Sequence, residues 1–466
     1  MSRAAPPAAV GSSRRGVLVL LLAVALPTGS IAETIPVTTL ADFDLADGAC
    51  SLREAIHAAN TDAPYVDCPA GDGDDRIELA VAGTIVLGSS LPPLGEGLTV
   101  AGSGASASAI DGGGQFRIFA LPGPANGATD RLRLEGLRLT GGRWDSGGAA
   151  SVGSDRSLEV VDCVIEGNVA EDFGGGLSGL GADSVRIERS LVAGNLALSR
   201  DGGGVAVTFA NVLEIVDSTI AGNASEIASG GGVLAYFVDQ VAIRRSTISS
   251  NFAGDHGGGI EQVGGTGEIA YATIVGNLAD ADGDGIGWGG GVDVAGVGGS
   301  LAVLDSVVAG NVDASAGDGD CPDLNQRLTA DLTSSGFNLV GANGCVAGSF
   351  PAGEPNGNGD FVGTSEAPID AGLGALADHG GPTPTHLPAS ESPLVDQGSC
   401  PIEVADQRGF SNPATSLRAV DEPLTPDFDD GCDIGAVERH PDPPPELPFA
   451  DGFESGDTSA WSATLP

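Results

Sequence analysis

The chain has 466 residues, of which 41% are hydrophobic, only 4% are aromatic and 75 are Gly. Acids outnumber bases 63 to 20, giving a formal charge of −43, and all 20 bases are Arg. That field excludes nucleic acid and anionic lipid as partners, and the apolar share excludes a disordered Gly-rich chain.

Residues 1–32 read as a signal peptide. Arg14 and Arg15 give a charged start, Gly16 to Leu26 an apolar run, and Ser30-Ile31-Ala32 a small-residue cleavage site. The run is too short to span a bilayer comfortably, and no later segment of the mature chain reads as a transmembrane anchor. Ser13-Arg14-Arg15-Gly16-Val17-Leu18 also fits a twin-arginine signal, although the apolar run and the cysteines favour the general secretory route. The expected location is therefore secreted, or at the cell envelope or surface.

Residues 33–75 read as an N-terminal cap. Ser51-Leu52-Arg53-Glu54 is a capping box that opens a helix from Ser51 to Asn60, with Leu52, Ala55, Ile56 and Ala59 on its apolar face. In an oxidising compartment the seven cysteines should pair. The local pairs are Cys50–Cys68, Cys321–Cys345 and Cys400–Cys432, with Cys163 left over.

Residues 76–315 carry internal repeats. Asn168, Asn195, Asn223, Asn251, Asn277 and Asn311 close segments such as STIAGN and SVVAGN, and Gly triplets begin at Gly174, Gly202, Gly230, Gly257 and Gly289. From the last Gly of a triplet to the next Asn takes 18 to 20 residues. Short alternating runs such as Val185–Glu188 and Leu213–Val216 read as strands, with Gly and Asn at the corners. Less regular coils precede them at Thr84–Leu87, Leu98–Ala101, Ile110–Gly114 and Leu134–Gly142. The expected fold is all-β, a right-handed parallel β-helix of about nine coils and on the order of 40 Å long. A helical cap precedes it and an irregular, disulfide-stapled C-terminal region follows. Cys163 falls in the column of Ser190, Ser218, Ser246 and Ser306, so it reads as a small interior residue.

Residues 316–440 lose the triplet period, 441–450 read as a Pro-rich linker, and 451–466 as a short tail. Cys50-Ser51-Leu52-Arg53-Glu54-Ala55-Ile56 with Ala58-Ala59-Asn60 resembles the CSLREA motif of exported bacterial proteins. Leu376 to His386, Ser392 to Asp396, Asp406 to Gly409 and Asp433 to Glu438 resemble the choice-of-anchor C-terminal domain. The GGG and GN repeats are similar to those of polymorphic outer-membrane proteins and β-helix adhesins. These resemblances imply a secreted or surface-attached β-helix protein, without an autotransporter barrel.

Stacked coils align distant residues. Just before each triplet one column reads Phe173, Asp201, Ser229, His256 and Trp288, and two residues after it another reads Ser178, Ala206, Leu234, Glu261 and Asp293. Glu261 and Asp293 should lie about 5 Å apart, which suits cation binding or acid/base work. Asp255, His256, Glu261 and Asp293 are the candidate catalytic residues, and Trp288, Glu261 and Asp293 the candidate ligand-binding ones. Arg244 and Arg245 are the nearest candidates for an associated base. The Asn-to-triplet spacing of 6 or 7 jumps to 12 between Asn277 and Gly289. That insert, with Asp280, Asp282 and Asp284, fits the start of a calcium loop, so Ca²⁺ is the candidate cofactor. Gly291 stands where an EF-hand has Glu, so no EF-hand is claimed.

The leading expectation is an adhesive or glycan- and partner-binding surface protein, Ca²⁺-assisted. One alternative is a polysaccharide lyase or glycoside hydrolase working through the Asp255–Asp293 face. The other is a purely structural envelope or matrix protein.

Overall fold

A computed structural model of the chain describes residue 1 and residues 34–123, 131–315, 321–399, 405–411 and 431–439. The expected signal peptide beyond residue 1, Cys400, and the stretches read as a Pro-rich linker and tail lie outside the described residues, and with them the expected Cys400–Cys432 pair. Among the described residues no helix is long and apolar enough to cross a membrane.

Each repeat makes one coil of four short strands. In the coil that follows the Gly174 triplet these are Leu177–Leu180, Ser184–Glu188, Leu191–Ala193 and Leu196–Ala197. Every strand pairs in parallel with its counterpart one coil away, building four sheets of 8, 11, 11 and 7 strands, here called the first to fourth walls. Inward-facing Val205, Val207, Leu213, Ile215 and Ile220 are fully buried. The narrow interior thus takes branched aliphatics, as the low aromatic content requires.

The glycine triplets follow from the closeness of successive coils. Gly202 sits at φ +77, and a Cβ on Gly203 would come within 2.4 Å of the Gly231 carbonyl oxygen in the next coil. No other residue fits there without moving backbone.

Each corner Asn carries its own hydrogen bonds across the stack. Asn223 Nδ2 donates to the Val192 carbonyl at 2.9 Å and to Asn251 Oδ1 at 2.9 Å, and the Asn223 N–H donates to Asn251 Oδ1 at 3.0 Å. The same set repeats from Asn168 to Asn311 and ends on Asp323, whose Oδ1 accepts from the Asn311 N–H and Nδ2. A second ladder runs through Cys163, Ser190, Ser218 and Ser246, and through Ser306 and Asn338. It ends on Asp360, which accepts from the Asn338 N–H at 3.0 Å. Buried N–H groups at these corners are thereby satisfied.

The stack runs beyond both ends of the expected 76–315 stretch. Thr34–Val37 already pairs with Asp75–Leu79, and Leu324–Gln326, Asp331–Gly336 and Leu339–Val340 extend three walls past the triplet repeats. The helix spans Leu52–Thr61 with its capping box formed, and buries Leu52, Ala55, Ile56 and Ala59 against the same core as the first coils. Cys50–Cys68 and Cys321–Cys345 are disulfide-bonded, and Cys163 is a buried free thiol.

The C-terminal region lies against the third wall. Thr219, Thr247 and Thr273 occupy one outward position there in successive coils. Thr247 Oγ1 donates to Gln407 Oε1 at 2.7 Å, Gln407 Nε2 donates to Thr219 Oγ1 at 2.9 Å, and the Ala436 N–H donates to Thr273 Oγ1 at 3.1 Å. His386 Nε2 meets Ser249 Oγ at 2.9 Å.

Candidate functional site

The first wall starts at each Gly triplet, so its strands share one register. Ser178, Ala206, Leu234, Glu261 and Asp293 are successive partners across it, and Asn325 follows them. The N–H of each triplet's first Gly donates to Asp201, Ser229, His256 and Trp288 in turn, which aligns the second column. The geometry therefore brings Glu261, Asp293, His256 and Trp288 together on adjacent coils.

The residue that joins them is Arg327. Its Nε donates to Asp293 Oδ2 at 2.9 Å, and its Nη2 donates to Asp293 Oδ2 at 2.5 Å and to Glu261 Oε1 at 2.8 Å. Asn325 Nδ2 donates to Asp293 Oδ1 at 2.7 Å. The guanidinium also lies 5.5 Å from the Trp288 ring centroid, and the His256 ring stacks on Trp288 with centroids 4.8 Å apart. Glu261 is 5% exposed and Asp293 fully buried.

Burial and the Asp293 carboxylate push Glu261 up to about 8. At neutral pH it holds a proton while Asp293 and Arg327 form the ion pair, so one guanidinium serves two carboxyl groups. Desolvation, helped by Arg327, lowers His256 to about 4, and its Nδ1 is buried without a hydrogen-bond partner. A base that weak is poorly matched to proton abstraction near neutrality. Asp255 is raised by desolvation and by Asp284 and Asp282.

Those two aspartates belong to the insert. One carboxylate oxygen from each of Asp280, Asp282 and Asp284 lies within 4.8 Å of the others, a group that can hold a metal ion. Asp280 is 1% exposed; the Gly285 N–H donates to its Oδ1 at 3.1 Å, and its Oδ2 is buried with no partner. The Asp280 N–H donates to the Asp255 carbonyl at 3.0 Å, tying the loop to the His256 corner. Asp62, Asp75 and Glu96 form a second such group, and burial with these acids pushes Glu96 up to about 7.

No family model, curated protein or solved structure matches the chain.

Arg244 and Arg245, the expected basic partners, are elsewhere. Arg244 lies on the second wall facing Glu268, and Arg245 pairs with Asp217 at 2.7 Å at the neighbouring corner. Arg327 takes their place, from the region read as irregular. The backbone explains the oversight: the Gly289 N–H donates to the Cys321 carbonyl and the Gly291 N–H to that of Pro322. Cys321-Pro322-Asp323 thus stands where a sixth triplet would be, which puts Asn325 in the Asp293 column with Arg327 two residues on. Aligning those residues with the triplets would reveal it.

Proposed function

We propose that this is a secreted or cell-surface β-helix protein, of the CSLREA and choice-of-anchor kind its motifs resemble, that binds a glycan or surface partner through its first wall without turning it over. The observation that carries the reading is Arg327. A catalytic carboxyl pair needs both groups open to the substrate, with room for water or a sugar between them. Here the space between Glu261 and Asp293 is filled by a guanidinium, and both carboxyls are buried. Around them Trp288 stays 37% exposed as a contact platform.

The Asp280–Asp284 loop is read as a Ca²⁺ site. Hard oxygen ligands suit that ion, and the unpartnered Asp280 Oδ2 is a buried oxygen that a cation would satisfy. Because the loop runs on into Trp288, the ion would hold the platform in place.

The enzyme alternative draws on the proton held by Glu261, which a general acid requires. Assaying uronic-acid and neutral polysaccharides with and without Ca²⁺ decides between the two. We expect binding that weakens in Trp288→Ala, with no product formed. Turnover that disappears in Glu261→Gln overturns this reading.

A further inference from the structure

The first wall has a second feature that neither the repeats nor the Arg327 cluster uses. One to four coils before Glu261, its outer face sinks into a groove of about 450 Å³, lined among others by Phe173, Asp201, Thr208, Phe209 and Tyr236. Small hydroxyl side chains lie on its floor: Ser151 and Ser178 are partners across the wall.

The two flanks are aromatic. On one, the Arg200 guanidinium covers the Phe173 ring at 5.2 Å. On the other, Phe209 and Tyr236 meet edge to face at 5.5 Å, and Phe237 stacks on Phe209 at 5.9 Å. Phe209 is 61% exposed, Phe237 45% and Tyr236 36%. In a chain with only 4% aromatic residues, three line this one depression and a fourth, Phe237, stacks on Phe209. Rings left in water on both sides of a polar floor are costly unless something covers them.

The chemistry of the lining restricts the occupant. Pyranose rings present apolar C–H faces to aromatic side chains and hydroxyls at their edges. Ser178 and Thr208 supply hydroxyl partners, and the Asp201 carboxylate accepts from sugar O–H groups. Polyanions are disfavoured: the chain carries −43, and the one guanidinium in the lining, Arg200, is occupied with Phe173 and with Asp172 at 3.8 Å. Flexible peptides would have to be ordered over a short groove, whereas a sugar ring is already rigid.

We propose that this groove is a saccharide subsite that takes an uncharged pyranose unit of an oligosaccharide. The inference rests on the reading of the first wall as a glycan-binding surface and deepens it by naming the sugar class. Leu234, at the end of the groove, is the direct partner of Glu261. The groove and the Arg327 cluster therefore lie along one column of the wall, which runs four coil steps, roughly 19 Å, from Ser178 to Asp293.

Calorimetric titration of the full mature chain with cellotetraose, chitotetraose and mannotetraose, and with tetragalacturonate as the charged control, tests the proposal. We expect at least one neutral tetrasaccharide to bind, and a Phe209→Ala/Tyr236→Ala double variant to bind it about tenfold more weakly. Both side chains are exposed, so an unchanged circular-dichroism melt confirms that the variant is folded. The proposal is overturned if no neutral probe binds saturably at millimolar concentration, if tetragalacturonate binds as tightly, or if the double variant binds as well as the parent. Should Trp288→Ala abolish binding while the double variant leaves it intact, the first wall still binds glycan and only this subsite fails.

Discussion

Arg327 and Glu261 are 66 positions apart in the chain and meet at 2.8 Å. The contact exists because Asp293, between them in the stack, is paired with the same guanidinium. Arg327→Gln would leave Asp293 as a buried charge with no counter-ion, and we expect a loss of about 3 kcal/mol. Glu261→Gln should cost less than about 1 kcal/mol at pH 7, because the side chain it replaces is already neutral. The pH dependence gives a further check. Glu261 rises from 4.5 to about 8, so the folded chain keeps a proton that the unfolded chain has released. Its contribution is full below about 4.5 and is lost as pH rises toward about 8. Thermal melts across that window should show a falling stability in the parent that is missing in the Gln variant.

Calcium should raise the melting temperature of the parent, as any ligand bound only by the folded chain does. Asp280→Asn removes the buried oxygen and should abolish the shift, and chelator should reverse it. Mg²⁺, which resists losing its water shell, should give a smaller effect. An equal Ca²⁺ response in Asp280→Asn would place the ion elsewhere.

Acidification should loosen the C-terminal region from the third wall. His386 is bonded at both ring nitrogens, to the Gly374 carbonyl at 2.7 Å and to Ser249 Oγ at 2.9 Å. Burial lowers its pKa below the usual 6.5, with His379 nearby adding to the shift. The unfolded chain then binds the extra proton, so stability is present above about 6.5 and declines as pH falls below it. Protection against hydrogen exchange over residues 374–386, taken relative to the intrinsic amide rate at each pH, should be weaker at pH 5 than at pH 7, and His386→Gln should flatten the difference.

Cys163 should not react with thiol reagents until the chain unfolds. Burial pushes the thiol up to about 12, and its Sγ already accepts from the Leu137 N–H at 3.5 Å. Cys163→Ser places in this coil the hydroxyl that Ser190 and Ser218 carry in the next two, so stability should change by less than about 1 kcal/mol. Labelling of the native protein by iodoacetamide would contradict this.

Much of the fold and part of the site are readable in the residues, for one reason. The Gly triplets and the corner Asn residues are demanded by backbone contacts between coils, so their spacing transmits the register directly. The columns ending in Trp288 and Asp293 follow from that spacing. Arg327 does not, because its coil uses Cys321-Pro322-Asp323 where glycines would announce it. The docking of Gln407 and His386 is hidden for another reason. It joins positions more than 130 apart through a few side-chain hydrogen bonds, and such contacts leave no period. The one trace is the Thr of STIAGN, STISSN and ATIVGN, an outward hydroxyl kept in three successive units.

The two corner ladders have direction, and each stops on an aspartate. Every Asn rung takes hydrogen bonds from the preceding unit and passes its own on to the next, whereas the carboxylates of Asp323 and Asp360 take without passing anything on. The last rung of each ladder is thus specified independently of how many rungs precede it. Gene duplication or deletion of one whole unit between Asn168 and Asn251, where both ladders are unbroken, leaves the junctions chemically equivalent, so this architecture can change length in evolution without redesigning its aspartate end.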